Sequence, residues 1–297
     1  MVKLMSKDKP NPDAPRDTAS RGSLSSPRRY GLIAGNGKFP LQVLEAARSQ
    51  GVEVVVIAIK EEAFPKIASV GFTTHWISLG QLGKLIQLLK REGISQAIMA
   101  GQVKHKQIFS QIIPDMKLLK LLTSLGSRNT NSLIGGVAKV LEDEGIHLMD
   151  STVFLKPLLP QPGVLTRRVP NNPEAIDIRY GRRIAQGIAR MDIGQAVVIR
   201  DQACIAVEAM EGTDAMIRRA AQITGNQRMT VIKVSKPSQD MRFDIPVIGL
   251  STVKLMAAVN ASALAIDANS TLLLDRNELI KVADREGIAI SVSEPGT

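Results

Sequence analysis

The sequence predicts an α/β protein in two units, an N-terminal doubly wound parallel sheet followed by a mixed α/β domain. Three observations lead there. Short, β-branched apolar runs alternate with segments of helical period, which is the pattern of strands joined by crossover helices. Glycines stand just past the ends of several of the helical segments. The chain has 297 residues, 44% of them hydrophobic, enough to bury two cores.

The elements follow in order. Residues 30–34 form an apolar run that ends in Gly35-Asn36-Gly37-Lys38-Phe39-Pro40, and 41–50 carry a helix stopped by Gly51. Residues 52–59 read as a buried parallel strand, 73–79 as another, and 96–100 as a third that ends at Gly101-Gln102-Val103-Lys104-His105. Helices are expected over 82–92, 116–125 and 133–144, the last stopped by Gly145. The second unit opens with a strand over 147–155 and a proline-rich turn over 156–163. A long helix over 174–191 places Arg179, Arg182 and Arg183 on one side, read as a solvated basic face. A hairpin over 196–209 turns at Asp201-Gln202. Thr213 is expected to cap a helix over 214–223. Strands over 229–234, 245–250, 263–266, 271–274 and 288–292 and helices over 253–259 and 276–286 complete the chain. The domain boundaries that follow are 1–29 for a disordered tail, 30–146 for the first domain and 147–297 for the second, with the chemistry in the second.

Composition narrows the function. A single cysteine, Cys204, excludes a disulfide framework and a cysteine zinc site. Aromatic residues make up 3%, too few for stacking platforms on single-stranded nucleic acid. The net charge of +10 favours anionic partners, but the basic residues are dispersed and form no nucleic-acid patch. No apolar run is long enough to span a membrane, and residues 1–29 lack the apolar core of a secretory signal, so a cytoplasmic location is expected.

The chemistry is expected in the loop KVSKPSQDMRFDIPVIG, residues 233–249. Pro237 and Pro246 stiffen it. Asp240 and Asp244 are interleaved with Lys236 and Arg242, so the loop offers carboxylates for a hard cation and cations for phosphate oxygens. A surface loop with local ion pairs would read the same way. Glu211, Thr213 and Asp214 end the hairpin and are expected to face that loop with a cation between them. The glycine turn Gly35-Asn36-Gly37 lacks the third glycine of a dinucleotide fingerprint, whose slot is Pro40. It reads as a phosphate- or nucleotide-touching loop or, equally, as a tight strand-to-helix turn. Gln102 and Lys104 sit on the same sheet rim, with Lys104 a phosphate partner.

Four stretches, AGNGKFP, LEDEGIHLMDSTVFLKPLL, RRIAQGIARMDIGQAVVIRDQACIAVEAMEGTDAMIRRA and KVSKPSQDMRFDIPVIGL, resemble the UDP-2,3-diacylglucosamine pyrophosphatase family of lipid A biosynthesis, of LpxI type. The resemblance runs in order over residues 30–294. It implies a Rossmann-like N-terminal domain, a C-terminal α/β domain and a lipid substrate between them. It implies Mg²⁺- or Mn²⁺-dependent hydrolysis to UMP and 2,3-diacylglucosamine 1-phosphate, with water attacking the α-phosphorus. Asp244 matches the family's essential aspartate, for metal binding or water activation; Asp240, Glu211 and Asp214 match further acids. The expected sets are Asp244, Asp240 and Arg242 for catalysis, Asp244, Glu211 and Asp214 for metal, and Gly35, Asn36, Gly37, Gln102, Lys104, Lys236 and Thr213 for substrate. The implied partners are an acylated UDP-sugar and the inner face of the cytoplasmic membrane; a homodimer stays open. Two departures stand out: Thr130-Asn131 where relatives have an Asp-Asp pair, and Asp201-Gln202 where they have Asp-Gly. A related nucleotide-sugar pyrophosphatase and a non-catalytic nucleotide-binding module are the competing readings.

Overall fold

The computed structural model describes residues 29–103, 113–126, 130–237 and 239–296, with the backbone alone at 130 and 131. Lys104, the side chains of Thr130 and Asn131, and residues 1–28 of the expected tail lie outside the described residues. Arg29, assigned to that tail, opens the first strand and bonds Glu53 and Glu92.

The first sheet is parallel throughout. It runs β1 (Arg29–Ala34), α1 (Phe39–Ser49), β2 (Glu53–Ile59), β3 (Thr73–Ile77), α2 (Leu82–Arg91), β4 (Gln96–Ala100), α3 (Met116–Ser124), α4 (Thr130–Asp143) and β5 (His147–Leu148). The strand order is β3-β2-β1-β4-β5. Alternation along β1 and β2 splits the core in two, because successive side chains point to opposite faces. Leu32, Val54 and Val56 face α1, while Ile33, Val55 and Ile57 face α2, α3 and α4. The strand expected over 147–155 is only two residues long and pairs with β4, so it closes this sheet rather than opening the second unit.

After β6 (Gly163–Val164), the second sheet takes α5 (Asn172–Arg190), β7 (Ala196–Arg200), β8 (Ala203–Val207), α6 (Thr213–Thr224) and β9 (Met229–Lys233). It continues through β10 (Val247–Ile248), α7 (Leu250–Ala258), β11 (Ala261–Asp267), β12 (Leu272–Leu273), α8 (Arg276–Arg285) and β13 (Ala289–Ser293). Six strands line up as β6-β13-β11-β9-β7-β8. β9, β11 and β13 are mutually parallel, while β6, β7 and β8 pair antiparallel, which makes the sheet mixed as expected. The helix α5 covers one face, with Ile178 and Ala185 on Val197, Ile199 and Ile232. A Cβ on Gly181 would stand 2.6 Å from Ile199 and Ile232, so this glycine lets helix and sheet approach. The helices α6, α7 and α8 cover the other face.

The expected strands over 245–250 and 271–274 shrink to β10 and β12, which pair with each other outside the main sheet. They bind the halves together: Ile245, Val247, Leu272 and Leu274 pack into the core around β1 and α1. Lys38 and Gln42 of α1's start reach Asp275, the residue before α8, at 2.7 and 2.9 Å. No helix among the described residues is long and apolar enough to cross a membrane.

The hairpin departure is structurally legible. Asp201 and Gln202 have φ of 49° and 59°, the left-handed region a glycine would favour. The Asp177 carboxylate offsets that strain by accepting from both of their backbone N–H groups, at 3.2 and 2.7 Å.

The start of α5 rests on a capping box between Asn171 and Glu174. Glu174 also accepts from Arg168, Arg228 and Ser262. Burial pushes its carboxyl pKa up, but Arg168, Ser262, the Asn171 N–H and Arg228 outweigh that and lower it from 4.5 to about 2. A depressed folded pKa adds stability above the unfolded value and loses it as pH falls toward the folded one. Replacing Glu174 by Gln should therefore destabilise the protein by about 2 kcal/mol at neutral pH. Urea unfolding repeated between pH 7 and pH 3 should show the gap shrinking below the ordinary glutamate pKa; a gap that is constant with pH would contradict this.

Candidate active site

The loop after β9 leaves from the carboxyl ends of parallel strands, where open α/β sheets hold ligands. Its first turn is fastened from below. Asp267, at the end of the neighbouring strand β11, accepts from the Ser235 N–H at 2.7 Å and from Arg182 of α5 at 2.6 Å. Both side chains are buried, at 2% and 6% exposure, so Arg182 is no part of a solvated basic face. The expectation for that face fails at the one arginine that turns toward the sheet. In the sequence a strand-end Asp such as Asp267 carries no local signature, and Arg182 reads only as one arginine among several on a helix face.

Further along, the Phe243 and Asp244 N–H groups donate to the Asp240 carbonyl, closing a helical turn over 240–244. Phe243 packs beside α2, α3 and α4 in the first domain, and Ser151 binds the Met241 and Arg242 carbonyls. The loop is thereby clamped at the joint between the halves. It opens onto a cleft of about 430 Å³ lined by Arg190, Asp192, Lys236, Asp240, Phe243 and Asp244, with Ala189 and Pro237.

Within the cleft, Lys236 Nζ lies 3.2 Å from Asp244 Oδ2 and 2.8 Å from Asp192 Oδ1. Burial lowers the Lys236 pKa, but Asp192 and Asp244 more than reverse it, and the ammonium is held above its ordinary value. Asp240 and Arg242 form a two-pronged pair, at 2.9 and 2.7 Å. Arg242 lowers the Asp240 pKa, and Asp240 raises that of Arg242. The guanidinium also lies 5.7 Å from the Phe243 ring centroid.

The other expected residues have different neighbours. Thr213 is not an N-cap; Gly212 holds that place. Its hydroxyl donates to Glu208 at 2.6 Å and accepts from Lys233 at 2.9 Å, both buried, and Lys233 also donates to the Val247 carbonyl. Glu211 pairs with Arg219 at 2.5 Å; burial raises its pKa, but its hydrogen bonds and Arg219 bring it below the ordinary glutamate value. Asp214 accepts from the Thr252 hydroxyl at 2.7 Å. None of the three lines the cleft. Among the described residues no three His, Cys, Asp or Glu side chains converge as metal ligands, so the expected set Asp244, Glu211 and Asp214 is not assembled. Two of its members are spent on fastening α6. Asp244 alone faces the cleft, which still suits Mg²⁺, an ion ordinarily held by one or two carboxylates plus phosphate oxygens.

The glycine turn also has structural work. The order β3-β2-β1-β4-β5 reverses direction between β1 and β4, the usual place for a ligand crevice. Here the Asn36 N–H donates to the Gln102 carbonyl at 2.7 Å and the Gln102 N–H to the Asn36 carbonyl at 3.1 Å. A Cβ on Gly35 would stand 2.7 Å from the Gln102 oxygen, and one on Gly101 (φ 92°) 2.6 Å from the Asn36 oxygen. Gly37 has a φ of 96°, which also favours glycine. The glycines let two strand ends touch, and Gly35, Asn36, Gly37 and Gln102 do not line the Asp244 cleft.

The family profile of the LpxI N-terminal domain matches residues 29–158, and that of the LpxI C-terminal domain matches residues 161–291. The chain is 30% identical over 278 residues to the UDP-2,3-diacylglucosamine pyrophosphatase LpxI of Caulobacter vibrioides, covering 90% of this chain and 98% of that one. The chain belongs to the LpxI family. Among solved structures, the precorrin-6A reductase CobK covers 91% of this LpxI-family chain and 88% of its own at 12% identity, with a TM-score of 0.31. A nucleoside-diphosphate-sugar epimerase from Pseudomonas aeruginosa covers 86% and 84% at 9% identity, with a TM-score of 0.28. Likenesses of that size carry no argument about LpxI-family chemistry.

If the bridge between Asn36 and Gln102 explains the glycines, Gly101→Ala should destabilise the fold by about 2–3 kcal/mol through overpacking and backbone strain. Thermal unfolding checks this. An unchanged melting temperature would mean that the turn can give way, and the account of the glycines would fail.

Proposed function

We propose that this LpxI-family chain hydrolyses the pyrophosphate bond of UDP-2,3-diacylglucosamine to UMP and 2,3-diacylglucosamine 1-phosphate. The observation that supports this best is the cleft between the end of α5 and the loop after β9, where Asp244 faces the ammonium of Lys236. The family relationship makes the substrate an acylated UDP-sugar.

The reaction asks a protein for charge stabilisation and for placement of a water in line with the scissile bond. Asp244 is the group to orient that water and accept its proton. As the water oxygen bonds to the α-phosphorus, the bridging P–O bond breaks, and the sugar 1-phosphate leaves with the bridging oxygen. Lys236 and Arg190 line the same cleft and offset the charge on the phosphate oxygens. Arg242, already tied to Asp240, stiffens the turn that presents Asp244. Mg²⁺ or Mn²⁺ would be held by Asp244 together with substrate phosphate oxygens and water. Bound there, the ion supplies positive charge at the α-phosphoryl group and a more acidic water. The acyl chains put the substrate in a membrane, so the protein is expected to act at the inner face of the cytoplasmic membrane.

Asp244→Ala should lower UMP release on the order of 10²- to 10⁴-fold while the circular dichroism spectrum stays the same. Chelation by EDTA should stop the wild-type reaction, and Mg²⁺ or Mn²⁺ should restore it. Full activity in the alanine variant would remove Asp244 from the mechanism; full activity in EDTA would remove the metal.

A further inference from the structure

We propose that Asp192 is a positioning residue, which holds the Lys236 ammonium at a set distance from Asp244; this rests on the role given to Asp244 above. Asp192 stands two residues past α5, at a φ of 55°. The turn it belongs to is rigid. Its own N–H donates to the Ala189 carbonyl at 3.2 Å, and the next N–H, of Ile193, donates to the Ile188 carbonyl at 3.1 Å. A Cβ on Gly194 would stand 2.0 Å from the Glu208 carbonyl oxygen, so the turn runs close against the residue that follows β8 and leaves no space for a side chain there. The Gln195 carbonyl accepts from the Val234 N–H at 2.9 Å, which ties the same turn to the start of the loop.

From that fixed base, the Asp192 carboxylate takes the ammonium at 2.8 Å, the closer of its two carboxylate contacts. Asp244 takes it at 3.2 Å. A lysine side chain has four rotatable bonds and a compact charge that moves readily. With Asp244 as its main carboxylate partner, the ammonium would settle directly on the acid that has to work on water. Asp192 competes for it, and so leaves Asp244 near a cation but available. Among the described residues, the other charged side chains lining the cleft are Arg190 on α5 and Asp240, whose carboxylate is engaged by Arg242. No sequence signal pointed to Asp192, since an acid just past a helix end is an ordinary turn residue.

The test is a double-mutant cycle on UMP release from the acylated UDP-sugar, using Asp192→Asn, Lys236→Met and the two combined. Asparagine tolerates positive φ, so the turn survives in the variant. Asp192→Asn should lower kcat roughly ten-fold with KM little changed, and adding it to Lys236→Met should cost nothing more. Independent losses that add, or an unchanged kcat, would overturn the proposal. A readout without turnover runs beside it. Acylation of Lys236 by a lysine-selective reagent, followed by mass spectrometry, should be several-fold faster in Asp192→Asn, since the ammonium loses its nearer partner. Equal labelling overturns the proposal even if the wild type proves inactive on this substrate, an outcome that would separately refute the proposed function.

Discussion

The buried contact of Asp267 with Arg182 and with the Ser235 N–H holds the site together. One carboxylate at the end of β11 joins the long helix on one face of the sheet to the first turn of the loop at its rim. Breaking a buried ion pair by removing one partner ordinarily costs about 3–5 kcal/mol, because the other charge is left without water. Here the cost would fall on the segment that carries Lys236 and Asp244. Lys236 and Asp244 are themselves only 16% and 25% exposed; what aims the segment that carries them is a charge pair one layer deeper.

The second constraint is the small parallel sheet of β10 and β12. It belongs in sequence to the second half, yet its apolar side chains lie in the core around β1 and α1. Phe243 does the same on the opposite face of the first sheet. The loop from Lys236 to Pro246 is therefore fixed at one end to the second sheet and at the other to the first. Any relative movement of the halves would be felt at Asp244.

The strands and helices of both sheets were legible because burial imposes period: β1 and β2 are apolar at every position they bury, and α2 repeats its leucines at helical spacing. The fragments β5, β10 and β12 were overextended, since an apolar run such as 147–155 looks the same whether it pairs along its length or turns after two residues and packs. Within the site, Lys236, Asp240, Arg242 and Asp244 could be found because they crowd one proline-bounded loop. Asp192, Arg190, Arg182 and Asp267 could not, since what joins them to that loop is tertiary. Glu211 and Asp214 misled for a related reason: acids near a strand end look like ligands until Arg219 and Thr252 are seen beside them.

A crystal structure of the Asp244→Ala protein with the intact acylated UDP-sugar tests the central claim most directly. The account predicts the pyrophosphate in the cleft between the end of α5 and the loop after β9, with oxygens on Lys236 and Arg190 and the α-phosphorus facing the vacated position of the Asp244 carboxylate. A pyrophosphate bound instead at the turn of Gly35 and Gly37, with the loop over 236–244 untouched, would contradict it.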